Sequence, residues 1–150
     1  MDSTIYVTIS LVIFLLVILV LLKPRRSYQV ALINSYRRKY RLRPLRAYFP
    51  LDVFARKHTS YLARNRSCNH DRFEIRSAMI MKITRTDYVG ENCIMYPSRE
   101  YNDNIAVRLI EDWMDSPEHR TNILNPKFSK IGVSVVVKGQ YVYSTQIFCS

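Results

Sequence analysis

The sequence predicts an α+β domain, helices laid over a mainly antiparallel sheet, preceded by one apolar N-terminal helix. Three observations carry this. Ile5–Leu22 reads IYVTISLVIFLLVILVLL and holds no charged residue. Apolar side chains then recur at three-to-four spacing through the middle of the chain, the period of amphipathic helices. Two runs rich in β-branched and aromatic residues, Ile131–Val137 and Tyr141–Cys149, come last and flank Lys138-Gly139-Gln140, a hairpin signal.

As a helix, the 18 residues of the apolar run rise about 27 Å, close to the roughly 30 Å of a bilayer's hydrocarbon core. Such a helix satisfies its own backbone polar groups, as hydrocarbon requires. A cleaved signal peptide would want bases before the run and a small-x-small site after it. Here Met1-Asp2-Ser3-Thr4 carries no base and the run ends at Lys23-Pro24-Arg25-Arg26, so an uncleaved anchor is expected. The chain divides into a short N-terminal tail (1–4), a transmembrane anchor (5–22), a basic juxtamembrane linker (23–28) and one domain (29–150). The length suffices for one core and not for two.

The net charge of +11 is unevenly placed. Lys23 to Arg66 holds 13 Lys/Arg against the single acid Asp52, whereas Ser67 to Ser150 balances ten bases with ten acids. A basic stretch beside an anchor can rest on anionic headgroups, at about 1 kcal/mol per base. It can equally form a solvated helix face, and the sequence leaves both open. The bases match no nucleic-acid motif, so no nucleic-acid partner is expected. Cys68, Cys93 and Cys149 are odd in number, which leaves one disulfide plus a thiol or three thiols. Asn65-Arg66-Ser67 is a glycosylation sequon, meaningful only in a lumenal setting.

Within the domain, Val30, Ile33, Tyr36/Arg37 and Tyr40 mark a first helix over Ser27–Arg41. Pro44 and Pro50 bracket a connection, and Asp52 is the expected N-cap of a second helix with Val53, Phe54, Tyr61 and Leu62 inward. Ser67–Tyr88 shows no clean period and reads as irregular, with a short element around Ala78–Ile83. Gly90–Tyr96 suits a strand. Asn102, Asp103 or Asn104 can cap a helix whose stripe is Ala106, Leu109, Ile110 and Trp113. Ser116-Pro117-Glu118 starts another, with Ser at the N-cap and Pro at N1, and Asn125-Pro126 ends it.

The chemistry rests on few groups. His58 reads as a partly buried or surface helical residue. His70 lies in Cys68-Asn69-His70-Asp71-Arg72-Phe73, His119 in Ser116-Pro117-Glu118-His119-Arg120, and Glu91 in Gly90-Glu91-Asn92. Imidazole and carboxylate together can hold zinc, and an open coordination position would permit hydrolysis. Cys93 shares a strand face with Glu91 and reads as a packed thiol, with a nucleophile as the alternative. Arg120 is placed to pair with Glu91, Asp115 or Glu118. Gly90 permits a close approach or an unusual dihedral, and Asn92 can hold a neighbouring loop by its amide. Neither H-E-x-x-H nor G-x-S-x-G occurs.

In order, the chain carries Ile33-Asn34-Ser35-Tyr36-Arg37, Leu42-Arg43-Pro44-Leu45, Ala55-Arg56-Lys57-His58, His70-Asp71-Arg72-Phe73 and Gly90-Glu91-Asn92. Trp113-Met114-Asp115-Ser116-Pro117-Glu118-His119-Arg120-Thr121-Asn122-Ile123-Leu124-Asn125-Pro126 follows, leading to Phe128, Ile131-Gly132-Val133, Tyr143 and Gln146-Ile147-Phe148. This set resembles the CAP superfamily (cysteine-rich secretory, antigen 5 and pathogenesis-related 1 proteins, or SCP domain) in its short bacterial and archaeal form, over roughly residues 29–148.

The resemblance implies an α-β-α sandwich with a central antiparallel sheet and a large cleft holding two histidines and two acids. His70, Glu91 and His119 match three of these. The second acid has no secure match, Asp115 and Glu118 being the candidates. His70 and His119 are the implied metal ligands, with zinc or another divalent metal as the candidate cofactor. The family points to a membrane-anchored, non-enzymatic module binding a lipid or envelope component. A metal-dependent hydrolase using the same cleft is the alternative. Expected partners are the membrane, through the anchor and the basic segment, and a lipid or small-molecule ligand. Positive-inside counting of Lys23, Arg25 and Arg26 turns the domain inward. The resemblance to exported proteins turns it outward, and a single-pass protein with its domain outside the cytoplasm is the expectation.

Overall fold

Strict alternation along the last strand decides the architecture. Val142 and Phe148 join one buried cluster, while Tyr143, Ile147 and Cys149 join the clusters on the opposite side. A strand that buries both faces needs cover on both, and helices supply it. The computed structural model describes residues 28–100 and 104–150. Residues 28–39 are helical (α1). There follow β1 (Arg46–Ala47), α2 (Phe49–Asn65), α3 (Phe73–Thr84), β2 (Val89–Pro97), a 3-10 turn (Ser98–Glu100), α4 (Ile105–Asp115), α5 (Pro117–Ile123), β3 (Lys130–Lys138) and β4 (Tyr141–Cys149). The sheet order is β1-β3-β4-β2, antiparallel except for the two-residue β1, which runs parallel to β3.

The predicted mixed fold and its helix-sheet-helix layering are therefore present. One layer packs Val30, Ile33, Leu109, Ile110, Trp113 and Ile123 of α1, α4 and α5 on the sheet. The other packs Leu51, Ala55 and Leu62 of α2 and Ile80 of α3. The tail, anchor and linker assigned to 1–4, 5–22 and 23–28 lie almost wholly outside the described residues. Among the described residues no helix is long and apolar enough to cross a membrane.

Three local expectations change. Asp52 does not cap α2, which starts at Phe49 behind Tyr48 with a proline in its first positions. Asp52 sits in the first turn, and its Oδ1 accepts from the Val133 amide at 3.0 Å. The reason is the sheet edge. β1 ends after pairing Ala47 with Ile131, Tyr48 N–H adds one bond to the Ile131 carbonyl at 2.9 Å, and the Asp52 carboxylate then takes the next free amide of β3. The inward side of α2 is correspondingly Leu51, Ala55, His58, Thr59, Leu62 and Ala63, leaving Val53 exposed. Finally, the stretch read as irregular contains a 12-residue helix, α3. Only Ile80 of α3 is buried, while Ile75, Met79 and Ile83 face solvent, so no inward stripe marks it in the sequence.

Arg37, on the predicted stripe of α1, is fully buried. Its guanidinium donates to the carbonyls of Arg43 (2.8 Å), Ile123 (2.7 Å), Asn125 (3.0 Å) and Phe128 (3.3 Å). It thereby ties α1 to the C-terminal end of α5, where unpaired carbonyls need donors. Asn34 adds a strand-like pair, accepting from Leu45 N–H at 2.7 Å and donating to its carbonyl at 2.9 Å.

Gly132 lets α2 sit directly on β3. A Cβ there would lie 2.2 Å from the Leu51 carbonyl carbon and 2.4 Å from the Asp52 nitrogen, both backbone atoms that cannot swing away. Gly132→Ala is expected to lower stability by about 2 kcal/mol or more, read as a lower urea midpoint; an unchanged midpoint would show that α2 is not seated this closely.

Candidate functional site

Glu91 is central. It stands on β2, facing the α2–α3 layer, with 1% of its side chain exposed. Burying a carboxylate costs several kcal/mol unless it is fully bonded. Arg76 of α3 bonds it in a fork, Nε to Oε2 and Nη2 to Oε1, each at 2.6 Å. His70, in the loop between α2 and α3, donates Nδ1–H to Oε1 at 2.9 Å. The carboxylate only accepts, so this bond fixes the proton of neutral His70 on Nδ1 and leaves Nε2 as an acceptor. The His70 side chain is 52% exposed. His58 of α2 completes the group from below, Nε2 lying 3.0 Å from the Asn69 carbonyl and 3.5 Å from Glu91 Oε1.

The loop bearing His70 is held at several points. Asp71 accepts from Tyr61 O–H of α2 at 2.8 Å, and its carbonyl accepts from Arg76 Nη1 at 3.1 Å. His58 grips Asn69 and stacks on Tyr61 with ring centroids 5.9 Å apart. Arg66 and Arg72, at either end, take left-handed backbone (φ 49° and 59°), a conformation that usually favours glycine.

The neighbours of Glu91 in sequence work on the other face. Asn92 donates to the His119 carbonyl (3.1 Å) and to Gln146 Oε1 (3.0 Å). Asn122 donates to Asn92 Oδ1 (2.8 Å) and to the Glu91 carbonyl (3.2 Å). A Cβ at Gly90 would stand 2.9 Å from Asn122 Oδ1 and 2.8 Å from the Phe128 ring, so Gly90 serves close approach, with no positive φ. The three residues Gly90-Glu91-Asn92 thus serve both layers: the outer two seat α5, and the middle one builds the site.

The predicted residues are distributed accordingly. His70 and Glu91 meet. His119 joins neither by a hydrogen bond or ion pair; its ring lies against the Cys93 backbone, close enough to His70 for their charges to interact, and its Nδ1 is enclosed without a partner. Asp115 and Glu118 are exposed, and among the described residues Glu91 is the only carboxylate bonded to a histidine. Arg120 pairs with none of the three acids considered for it and instead donates to the Met114 carbonyl at 3.2 Å, closing α4. His58 and Arg76 were missed as site residues. A buried histidine on a helix has no distinctive spacing, and Arg76 lies in the helix that the sequence conceals. An open depression of about 490 Å³, lined by Pro117, Arg120, Thr121, Leu124, Asn125 and Pro126, contains none of these histidines or acids.

Electrostatics make the site a closed acid–base set. Burial alone would raise the Glu91 pKa, but the His70 and Arg76 hydrogen bonds and the charges of His58 and Arg76 outweigh it and hold the carboxyl below its ordinary 4.5. Burial, the larger effect, lowers His58 despite Glu91, and burial with the charge of His70 lowers His119. The buried Cys93 thiol is pushed far up, chiefly by desolvation, which favours the packed thiol over the thiolate. The cysteines are all free; Cys68 is exposed, and Cys93 and Cys149 are buried.

A divalent metal on His70, Glu91 and His119 does not fit this arrangement. Both Glu91 oxygens are committed to a guanidinium that already neutralises them, His70 spends Nδ1 on the same carboxylate, and His119 makes no hydrogen bond or ion pair with it. The chemistry available is therefore that of Nε2 on the half-exposed His70 side chain: accepting a hydrogen bond from a ligand hydroxyl or N–H. Glu91→Gln should strand the Arg76 charge and cost about 3–5 kcal/mol at pH 7. Because the Glu91 pKa is depressed, its stabilisation is complete above about pH 4.5 and is lost as pH falls through the folded value. Denaturant titrations of the two proteins should converge on acidification below that point; a gap independent of pH would contradict the pairing.

Comparison with known proteins agrees with the fold. The profile of the cysteine-rich secretory protein family, CAP, matches residues 30–149. An outer surface protein from Borrelia burgdorferi has a similar fold, with a TM-score of 0.68 at 19% identity, covering 85% of this chain and 93% of its own. An extracellular SCP-domain protein from Bacillus anthracis gives 0.65 at 23% identity, covering 83% of this chain and 40% of its own. A cysteine-rich secretory protein from Staphylococcus aureus gives 0.59 at 20% identity, with 85% and 40% covered. The chain spans about two-fifths of these last two. No curated protein matches by sequence. From its helix-sheet-helix layering, its Gly90-Glu91-Asn92 strand and the match over 30–149, the chain belongs to the cysteine-rich secretory protein (CAP) family.

Proposed function

We propose that this is a membrane-anchored CAP domain that binds a lipid or envelope component in the His70–Glu91 cleft without catalysing a reaction. One observation carries the reading: His70 is half exposed, oriented through Nδ1 by a buried carboxylate, and presents its second nitrogen to whatever enters. The carboxylate that a hydrolase would use as general base is held by Arg76, and the nearby Cys93 thiol is protonated. A neutral ligand with a hydroxyl or amide donor suits this polarity, since a second cation or anion would have to compete with an ion pair already formed.

Two features support an amphiphilic ligand near a bilayer. α3, which supplies Arg76, also carries the exposed apolar residues Ile75, Met79 and Ile83. The uncharged run Ile5–Leu22 precedes the domain, and the bases concentrate between Lys23 and Arg66. The outer-surface and extracellular descriptions of the structural neighbours support an outward-facing domain, in the direction opposite to the charge flanking the run.

One membrane preparation tests both halves. In intact cells expressing the full chain, a membrane-impermeant maleimide should label Cys68, and the label should vanish in Cys68→Ser. With purified full-length protein in micelles, a fluorescent sterol or a fluorescent phospholipid should bind saturably and weaken about tenfold in His70→Ala, the loss of one good hydrogen bond. Labelling only after lysis would refute the outward orientation. Absence of saturable binding by both probes to folded protein would refute the lipid-binding reading.

A further inference from the structure

We propose that Arg76 is the resident cation of this site, and that it keeps closed a latent divalent-metal site formed by His58, Glu91 and Cys93. The inference rests on the reading of the cleft as metal-free, and it concerns a different donor set from the one the family resemblance implies. Ligand atoms of His58, Glu91 and Cys93 lie within 4.8 Å of one another, and all three residues are buried. One nitrogen, one oxygen and one sulfur donor, enclosed, are the mixture that zinc or cobalt(II) takes in tetrahedral sites. They come from two elements only, α2 and the adjacent face of β2, both packed into the sheet, so the set is rigid.

What the set lacks is a free carboxylate. The guanidinium fork on Glu91 uses both oxygens at 2.6 Å. A metal bonded to either oxygen would stand a few ångströms from a fixed positive charge, in a region with little water to screen the repulsion. Arg76 is itself anchored by a third bond to the Asp71 carbonyl, so it cannot swing aside without releasing the His70 loop. His58 Nε2 is occupied by the Asn69 carbonyl, and Cys93 Sγ lies 3.9 Å from Thr145 Oγ1. Removing the guanidinium charge frees Glu91 Oε2, with His70 still on Oε1, and removes the repulsion in one step. Metal entry then releases the thiol proton of Cys93 to solvent and breaks the His58 Nε2–H bond to the Asn69 carbonyl, that ring proton moving to Nδ1 so that Nε2 can ligate; a neutralised thiolate–carboxylate–imidazole set remains, with a solvent molecule as the fourth ligand.

The test uses full-length protein, stripped with chelator, in detergent micelles. Cobalt(II) is the probe, because a cobalt–thiolate bond gives a charge-transfer band that identifies Cys93; zinc affinity follows from competition with a chromogenic chelator. Wild type should show no thiolate band and no stoichiometric zinc at micromolar metal. Arg76→Met should bind one ion on the order of a hundredfold more tightly than wild type, with a thiolate band that disappears when Cys93→Ser is added. Arg76→Gln serves in its place if the methionine variant loses its far-UV dichroism. Stoichiometric zinc in wild type, or a folded Arg76 variant with no gain over wild type, would overturn the proposal. Neither result bears on probe uptake by His70→Ala, so failure here and failure of the lipid-binding reading are separable.

Discussion

Glu91 is held almost wholly out of water, and the guanidinium of Arg76 makes that position tenable. A lone buried carboxylate would take up a proton or unfold its surroundings. The fork prevents both and has further structural consequences. It draws α3 onto a sheet to which that helix offers a single buried apolar residue, Ile80. Through the Asp71 carbonyl it sets the loop that carries His70. It also neutralises the acid that, among the described residues, is grouped with possible metal ligands. The character of the cleft, polar and preorganised yet close to neutral, follows from one ion pair.

The same economy appears on the opposite layer, where Arg37 is buried without any carboxylate and bonds only carbonyls. Charge-assisted hydrogen bonds to several acceptors can offset part of the desolvation of an arginine, which cannot discharge. Arg37 fixes where α5 ends; Gly90, Asn92 and Asn122 fix how α5 meets the edge strand β2. His119 is carried to the rim of the site by that docking. Its ring is hydrogen-bonded to the Cys93 backbone and makes no hydrogen bond or ion pair with Glu91.

Much of this was legible in the sequence because the signals were strong. The β-branched and aromatic runs Ile131–Val137 and Tyr141–Cys149, with Gly139 at positive φ between them, specify the hairpin. The Leu109, Ile110 and Trp113 stripe and the Asn104 cap specify α4. His70, Glu91 and His119 are legible as one set through the blocks around them, while the pairing of His70 with Glu91 comes from the structure. What stayed hidden has physical causes. With only three glycines in the chain, the left-handed positions at helix ends fall to Arg41, Arg66 and Arg85, so the usual stop signals are missing. α3 is held by an ion pair, which leaves no periodic trace. Asp52 resembles a cap but mends a sheet edge, a role that depends on where β1 stops. The second acid stays unassigned: Asp115 and Glu118 are both exposed, and Glu118 is close enough to His119 for its charge to act on that ring.

The most direct measurement is the solvent exchange of the Arg76 Nε–H, followed by nitrogen-15 NMR on the full chain in micelles and assigned with Arg76→Lys. The Glu91–Arg76 fork predicts a resolved, slowly exchanging Nε–H at neutral pH that gives way only as acid protonates Glu91 below its ordinary 4.5. An Arg76 Nε–H that exchanges as fast as that of a surface arginine such as Arg64, and ignores pH in that range, would contradict the account.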